Sequence, residues 1–267
     1  MNGFSHILRA TVVGLLRDRV LHAIVGAGLL ILVLVPLLSG FSMRQVRELA
    51  ITLSLSCNSL VLLVLAIMLG AASIWRDVER RYTASLLGLP LARHTYIAGR
   101  FAGIAVFLLV CGAFLGLCGC VVVWFMRTEM SAGLALNWFN LVLAVWGDIC
   151  RSILLLALAV LFSSISTSLF LPVFGTLGIY LAGSASQEVM DYLATEAGKQ
   201  LPQATRTIAE ILYFILPNFS VFDFKVYAVY GLATPLKGAM FAAAYFVVYG
   251  GIVLLLAIRL FSRRELP

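Results

Sequence analysis

Charge is scarce in this chain. Only 12% of its 267 residues are Asp, Glu, Lys or Arg, about half the share of a soluble domain. Apolar residues make up 62%, and the mean hydropathy is +1.05. A soluble fold of this size has no core able to hide that much apolar surface. Alternating apolar and polar residues, the mark of membrane-barrel strands, are missing as well. The apolar runs are continuous, and several reach the ~20 residues that cross ~30 Å of hydrocarbon. The chain reads as a polytopic α-helical membrane protein.

Other absences narrow the chemistry. No Gly-x-x-x-x-Gly-Lys-Ser/Thr motif is present, so the chain carries no nucleotide-binding P-loop. Gly198-Lys199 lacks both the upstream glycine and the following hydroxyl residue. The three histidines, His6, His22 and His94, lie near the ends of apolar runs rather than inside them. An intramembrane serine protease or a zinc metalloprotease therefore has no candidate base. No paired carboxylates sit within a span. The five cysteines, Cys57, Cys111, Cys118, Cys120 and Cys150, all fall in apolar runs, which argues against a disulfide framework. Cys118 and Cys120 project roughly 200° apart on a helix, a poor arrangement for a metal. The net charge of +7 comes from basic residues between the spans, so nucleic acid is not the expected partner.

What is present organises into six expected spans: 20–39, 50–74, 101–126, 138–163, 168–186 and 238–261. Ahead of them, Phe4, Ile7, Leu8, Thr11, Val12, Leu15 and Leu16 recur at helical spacing, with Arg9, Arg17 and Asp18 off the stripe. Residues 3–19 read as an amphipathic helix on the membrane surface. With the N-terminus inside, the inner segments hold 11 basic and four acidic residues, and the outer segments hold seven of each. That bias puts both termini in the cytoplasm, with the chain in the cytoplasmic (inner) membrane. The outer segment 187–237 contains Pro202, Pro217 and an apolar stretch too short and broken to span comfortably. It reads as short outer helices or a re-entrant hairpin, which is tolerated when buried in protein. The expected fold is thus all-α, one transmembrane domain with six helices, a surface helix and short outer re-entrant helices.

Polar residues inside the spans are the candidate interior. Asp148 and Arg151 stand three residues apart on one helical face. Together they cost roughly 5–7 kcal/mol on insertion scales, near what their apolar neighbours return. They form either a polar element in a pathway or an ion pair that fixes packing, and Asn137 and Asn140 could extend that face. In the second span Thr52, Ser56 and Ser59 share a face, which could line a pathway or bind helices together. Gly112, Gly116 and Gly119 point to close helix contact.

The inner segment 75–100 is the most informative. Its start, Arg76-Asp77-Val78-Glu79-Arg80-Arg81, is charged; an apolar turn follows and Pro90 stops it. A short helix charged at one end and apolar at the other suits docking into a groove on a soluble partner. Here the sequence resembles the permease subunit of ABC transporters of the type-two, exporter-like class. The likeness is carried by Glu79, Arg81, Thr83, Leu86, Leu87, Pro90 and Arg93, by Gly99-Arg100, by Leu216-Pro217-Asn218-Phe219, and by the terminal 261–266 stretch. Tyr82 stands where many members have Gly. The resemblance implies two permease chains forming a pathway, with a second copy of this chain as the natural partner. ATP and Mg would be bound by separate P-loop ATPase subunits, with no cofactor on this chain. Those subunits would engage a coupling segment comprising Arg76, Glu79, Arg81, Thr83, Leu86, Leu87, Pro90 and Arg93. Segment 187–237 would be an outer gate, with Pro217, Asn218 and Phe219 at its turn. An autonomous secondary transporter fits less well, because no inverted repeat is present.

Overall fold

The computed structural model describes residues 2–41, 46–79, 93–126, 137–200 and 202–263. Helix α1 covers Asn2–Leu16 and α2 covers Arg19–Gly40. The chain breaks between them because Asp18 is extended and its carboxylate accepts from the Val20 N–H, capping α2. Helix α1 is therefore a separate element and not a straight extension of the first span. Its Ile7 and Thr11 seat on the start of α4 (Arg93–Phe125), where Gly99 and Gly103 leave room for them. A side chain at position 103 would meet Thr11 at 2.7 Å.

Helices α3 (Val46–Glu79) and α4 have 34 and 33 residues. At ~1.5 Å per residue each is about 50 Å long, well beyond a ~30 Å hydrocarbon layer. The apolar part of α3, Val46–Trp75, ends where the expected second span does, but the helix runs on through Arg76 to Glu79, and Arg93 opens the next helix. Charged residues need not stop a helix that has left the hydrocarbon. Residues Arg81, Thr83, Leu86, Leu87 and Pro90 lie outside the described residues.

Helix α5 (Trp138–Ile165) is the centre of the bundle. It packs against α3, α4, α6 (Phe170–Leu193) and α10 (Leu236–Ser262), and most of its residues are buried. Gly112 and Gly116 of α4 let α5 approach, facing Ile149 and Val145. Between α6 and α10 lie α7 (Glu196–Lys199), α8 (Gln203–Ile215), a 3-10 turn at Phe219–Phe222 and α9 (Lys225–Tyr230).

Among the described residues, α2, α3, α4, α5 and α10 are long and apolar enough to cross a membrane. Helix α6 occupies the expected fifth span and has the length, but it is not among those five. Its second half carries Ser184, Ser186 and Gln187, two of which bind the outer segment rather than lipid. Helix α8 and the 219–230 stretch meet at a 51° bend, a broken span or a re-entrant loop. Pro217 sits at that break, after Leu216 has left helical geometry.

The two ends of the bundle differ. At one end the ring of Phe261, near the end of α10, stacks 6.2 Å from Tyr96 at the start of α4. Helix α1 seats beside it on Gly99 and Gly103, so both chain ends gather there. At the other end the 217–232 stretch turns back onto α3, α5, α6 and α10.

Candidate functional site

The outer segment reaches into the bundle at Lys225, the first residue of α9. Its ammonium lies 3.8 Å from Asp148 Oδ1 and donates to Ser59 Oγ at 2.5 Å. Ser59 in turn donates to Asp148 Oδ1 at 2.5 Å, and Asn58 Nδ2 donates to Oδ2 at 3.3 Å. Asp148 is only 3% exposed, while the Lys225 side chain is 20% exposed. A buried carboxylate is tolerated when paired and fully hydrogen-bonded, and three side chains from α3 and α9 meet this one.

Arg151 does not supply that pairing. Its guanidinium donates to Ser184 Oγ at 3.1 Å and stacks over the Tyr180 ring at 4.9 Å, both on α6. The expected Asp148–Arg151 ion pair is thus replaced by two polar links diverging from α5. One turn of helix separates their origins, but the side chains lean to different neighbours.

The backbone of the outer segment is fastened at three further points. Asn140, fully buried on α5, donates to the carbonyls of Tyr227 and Leu232 at 3.0 and 2.8 Å, and accepts from Thr234 Oγ1. Asn218 donates through Nδ2 to Gln187 on α6, its N–H donates to the Tyr245 hydroxyl on α10, and its Oδ1 caps the 3-10 turn. Phe219 and Phe222 are buried beneath it. Two glycines make the contact possible. A Cβ on Gly147 would lie 2.3 Å from the Phe222 carbonyl oxygen, and one on Gly183 would lie 2.3 Å from that of Pro217. The backbone of the 217–222 stretch rests directly on helix backbone at both places.

The hydroxyl face expected on the second span is split. Ser59 turns inward, but Thr52 and Ser56 are exposed on the outside of the bundle. The inward polar residues of α3 are instead Ser54 and Asn58, one turn apart and both buried. They line a cavity of about 10 Å³ together with Gly116, Gly119 and Cys120, close to the volume of one water. Ser54 and Asn58 share a face with Asp148's side of the bundle, a phase that composition does not reveal. Lys225 and Gly147 were missed by the sequence reading. The one available signal was Lys225 itself, a lysine in an apolar outer stretch with no neighbouring acid except Asp223.

Of the expected coupling residues, Arg76 and Glu79 lie on the last turn of α3 and Arg93 on the first of α4. These two helix ends lie at the same end of the bundle as α1 and the C-terminal end of α10. Pro217, Asn218 and Phe219 all fall at the bend of the outer segment, at the opposite end.

Fold and site together define a polytopic helical membrane protein whose polar interior is covered at one end by its own chain. Residues 15–266 match the family described as ABC-2 family transporter protein, and the chain belongs to that family. It is accordingly a permease subunit of an ABC transporter, of a family that implies partnering with an ABC ATPase. No curated protein matches it.

Proposed function

We propose that this permease exports its cargo, working as one of two copies around a shared pathway, and that segment 217–232 is the outer gate. The observation that carries the reading is the seat of that segment. It is held by separable polar links, Lys225 to Asp148 and Ser59, Asn140 to two carbonyls, and Asn218 to Gln187, beside the apolar seat that Phe219, Phe222 and Phe224 take in the core. Such links can be exchanged for water when the segment lifts. Thr52 and Ser56 support the shared pathway. Hydroxyl residues exposed on a spanning helix are better matched to a second copy or a hydrated path than to lipid. Separate P-loop ATPase subunits would dock on the coupling segment from Arg76 to Arg93, at the end opposite the gate. The membrane is the cytoplasmic one, with both termini inside, as the charge bias indicates.

The test is affinity purification from native membranes in mild detergent, with mass spectrometry of what accompanies the chain. A P-loop ATPase in stoichiometric amount, with a second permease copy, is the expected result. A preparation that transports in vesicles without any ATPase would overturn the reading.

A further inference from the structure

Ser54 and Asn58, one turn apart on α3, are 5% and 1% exposed. Neither Ser54 Oγ nor Asn58 Oδ1 has a hydrogen-bond partner. Such atoms are uncommon, because each has lost its hydration without compensation. Other buried serines show the usual remedy: Ser39, Ser152, Ser163 and Ser186 each donate to a backbone carbonyl at 2.7–2.9 Å. The Asn58 amide is oriented by its other end. Its Nδ2 donates to Asp148 Oδ2 at 3.3 Å, and a carboxylate only accepts. Oδ1 is therefore turned away from Asp148 and calls for a donor. Both residues line the cavity of about 10 Å³ beside Gly119 and Cys120. Its walls also include Ile51, Leu55, Val123 and Leu141, whose side chains offer no polar group.

We propose that this cavity binds one water molecule, which donates to Asn58 Oδ1 and accepts from the Ser54 hydroxyl. The space admits a single water, and a buried water uses two to four polar partners. A divalent cation would want six or more oxygens, and Ser54 and Asn58 supply two. The water completes a polar chain that runs from Lys225 through Ser59, Asp148 and Asn58 to Ser54. By engaging Oδ1 it keeps the Asn58 amide from turning over, which would set a carbonyl against the Asp148 carboxylate. The site stands whether or not the outer segment moves.

Gly119 supplies the test. A methyl there would enter the cavity and meet Ser54 Cβ at 3.4 Å and Leu32 at 4.0 Å, ordinary contact distances. Gly119→Ala therefore displaces the water without overpacking and leaves both polar atoms unpaired. Unfolding of the full chain is followed in mild detergent. Gly178→Ala, which meets nothing within 4 Å, is the reference for the gain in helix propensity. Relative to that reference, Gly119→Ala should lower Tm by about 4 °C. In a Ser54→Ala background, where the water has already lost a partner, the same change should be neutral or raise Tm. A cavity that holds no water predicts a rise in both backgrounds, because the methyl then fills unused space. Synchrotron hydroxyl-radical footprinting reads the water directly, since radicals made from a bound water modify the side chain beside it. Oxidation of Cys120, scaled to Cys118 on the same helix, should fall severalfold in Ser54→Ala and in Gly119→Ala. A Tm that rises or holds in Gly119→Ala against the reference, or Cys120 oxidation unaffected by Ser54→Ala, overturns the proposal. The Ser54→Ala footprint decides the matter even if Gly119→Ala fails to fold.

Discussion

At the scale of single residues, the Lys225–Asp148 contact sets an asymmetry that can be measured. Asp148 is the buried partner and Lys225 the accessible one. Removing the ammonium with Lys225→Met leaves a carboxylate without its cation, and breaking a buried pair from one side costs about 3 kcal/mol. Asp148→Asn should cost less, because the amide still meets Asn58 and Ser59 and the lysine head can take up water. The double replacement should recover most of the loss. Unfolding of the three variants in detergent checks the order, and Asp148→Asn as the most damaging change would contradict it. Sequence reading paired Asp148 with Arg151, since three residues on one helix share a face. The lone lysine of an apolar stretch marks Lys225 as unusual but does not say which acid it meets: Asp148 is 77 positions away, and the two are brought together only by the fold of the outer segment. Likewise, Thr52, Ser56 and Ser59 look equivalent as hydroxyls at helical spacing. Only packing reveals that Ser59 turns toward Asp148 while the other two turn out. The chemistry of the site was legible, whereas its partners were not.

At the scale of elements, five of the spans were legible because length and unbroken apolarity determine what can cross a membrane. The exception is instructive. Helix α6 was drawn as a span ending at residue 186, yet it continues to Leu193 with a polar half. Ser184 and Gln187 there bind Ser220 and Asn218 of the outer segment, a tertiary use that local hydropathy cannot foresee. The fit of that segment depends on Gly147 and Gly183, whose added Cβ atoms would each lie 2.3 Å from a backbone oxygen. Overpacking of this kind costs ~1–3 kcal/mol, enough to raise a minor lifted state roughly tenfold. Gly147→Ala and Gly183→Ala should therefore speed maleimide labelling of Ser220→Cys in a background without the five native cysteines. Gly178→Ala on the same helix, where nothing lies within 4 Å, should leave the rate unchanged. Equal labelling in all three would mean that the segment is fixed by contacts other than these. A parallel expectation holds at the other end. Gly103→Leu pushes into Thr11 and should lift α1, read as loss of a disulfide engineered between positions 7 and 99.

At the scale of the whole molecule, the family was legible from topology and from a few sequence islands, and the match over 15–266 agrees. What the islands do not say is how one end of the bundle affects the other. Helix α3 offers a route. Its last turn carries Arg76 and Glu79 of the proposed coupling segment, and Ser59, which touches both Lys225 and Asp148, lies twenty residues before Glu79 on the same rod. That separation is about 30 Å along a continuous helix. A rigid element contacted at both ends can be biased from either, provided each end prefers one of two states. ATP binding on the partner subunits should then change labelling of Ser220→Cys in the assembled transporter. Glu79→Arg should abolish that nucleotide-dependent change by weakening ATPase association. It should leave permease levels normal and should not slow the fast labelling produced by Gly147→Ala, which acts at the gate directly. If Glu79→Arg instead lowers permease levels in step with association, the segment serves folding and not coupling. If nucleotide leaves labelling unaltered while cargo still moves, the 217–232 segment is a fixed cover and the gate lies elsewhere, with the face bearing Thr52 and Ser56 next in line.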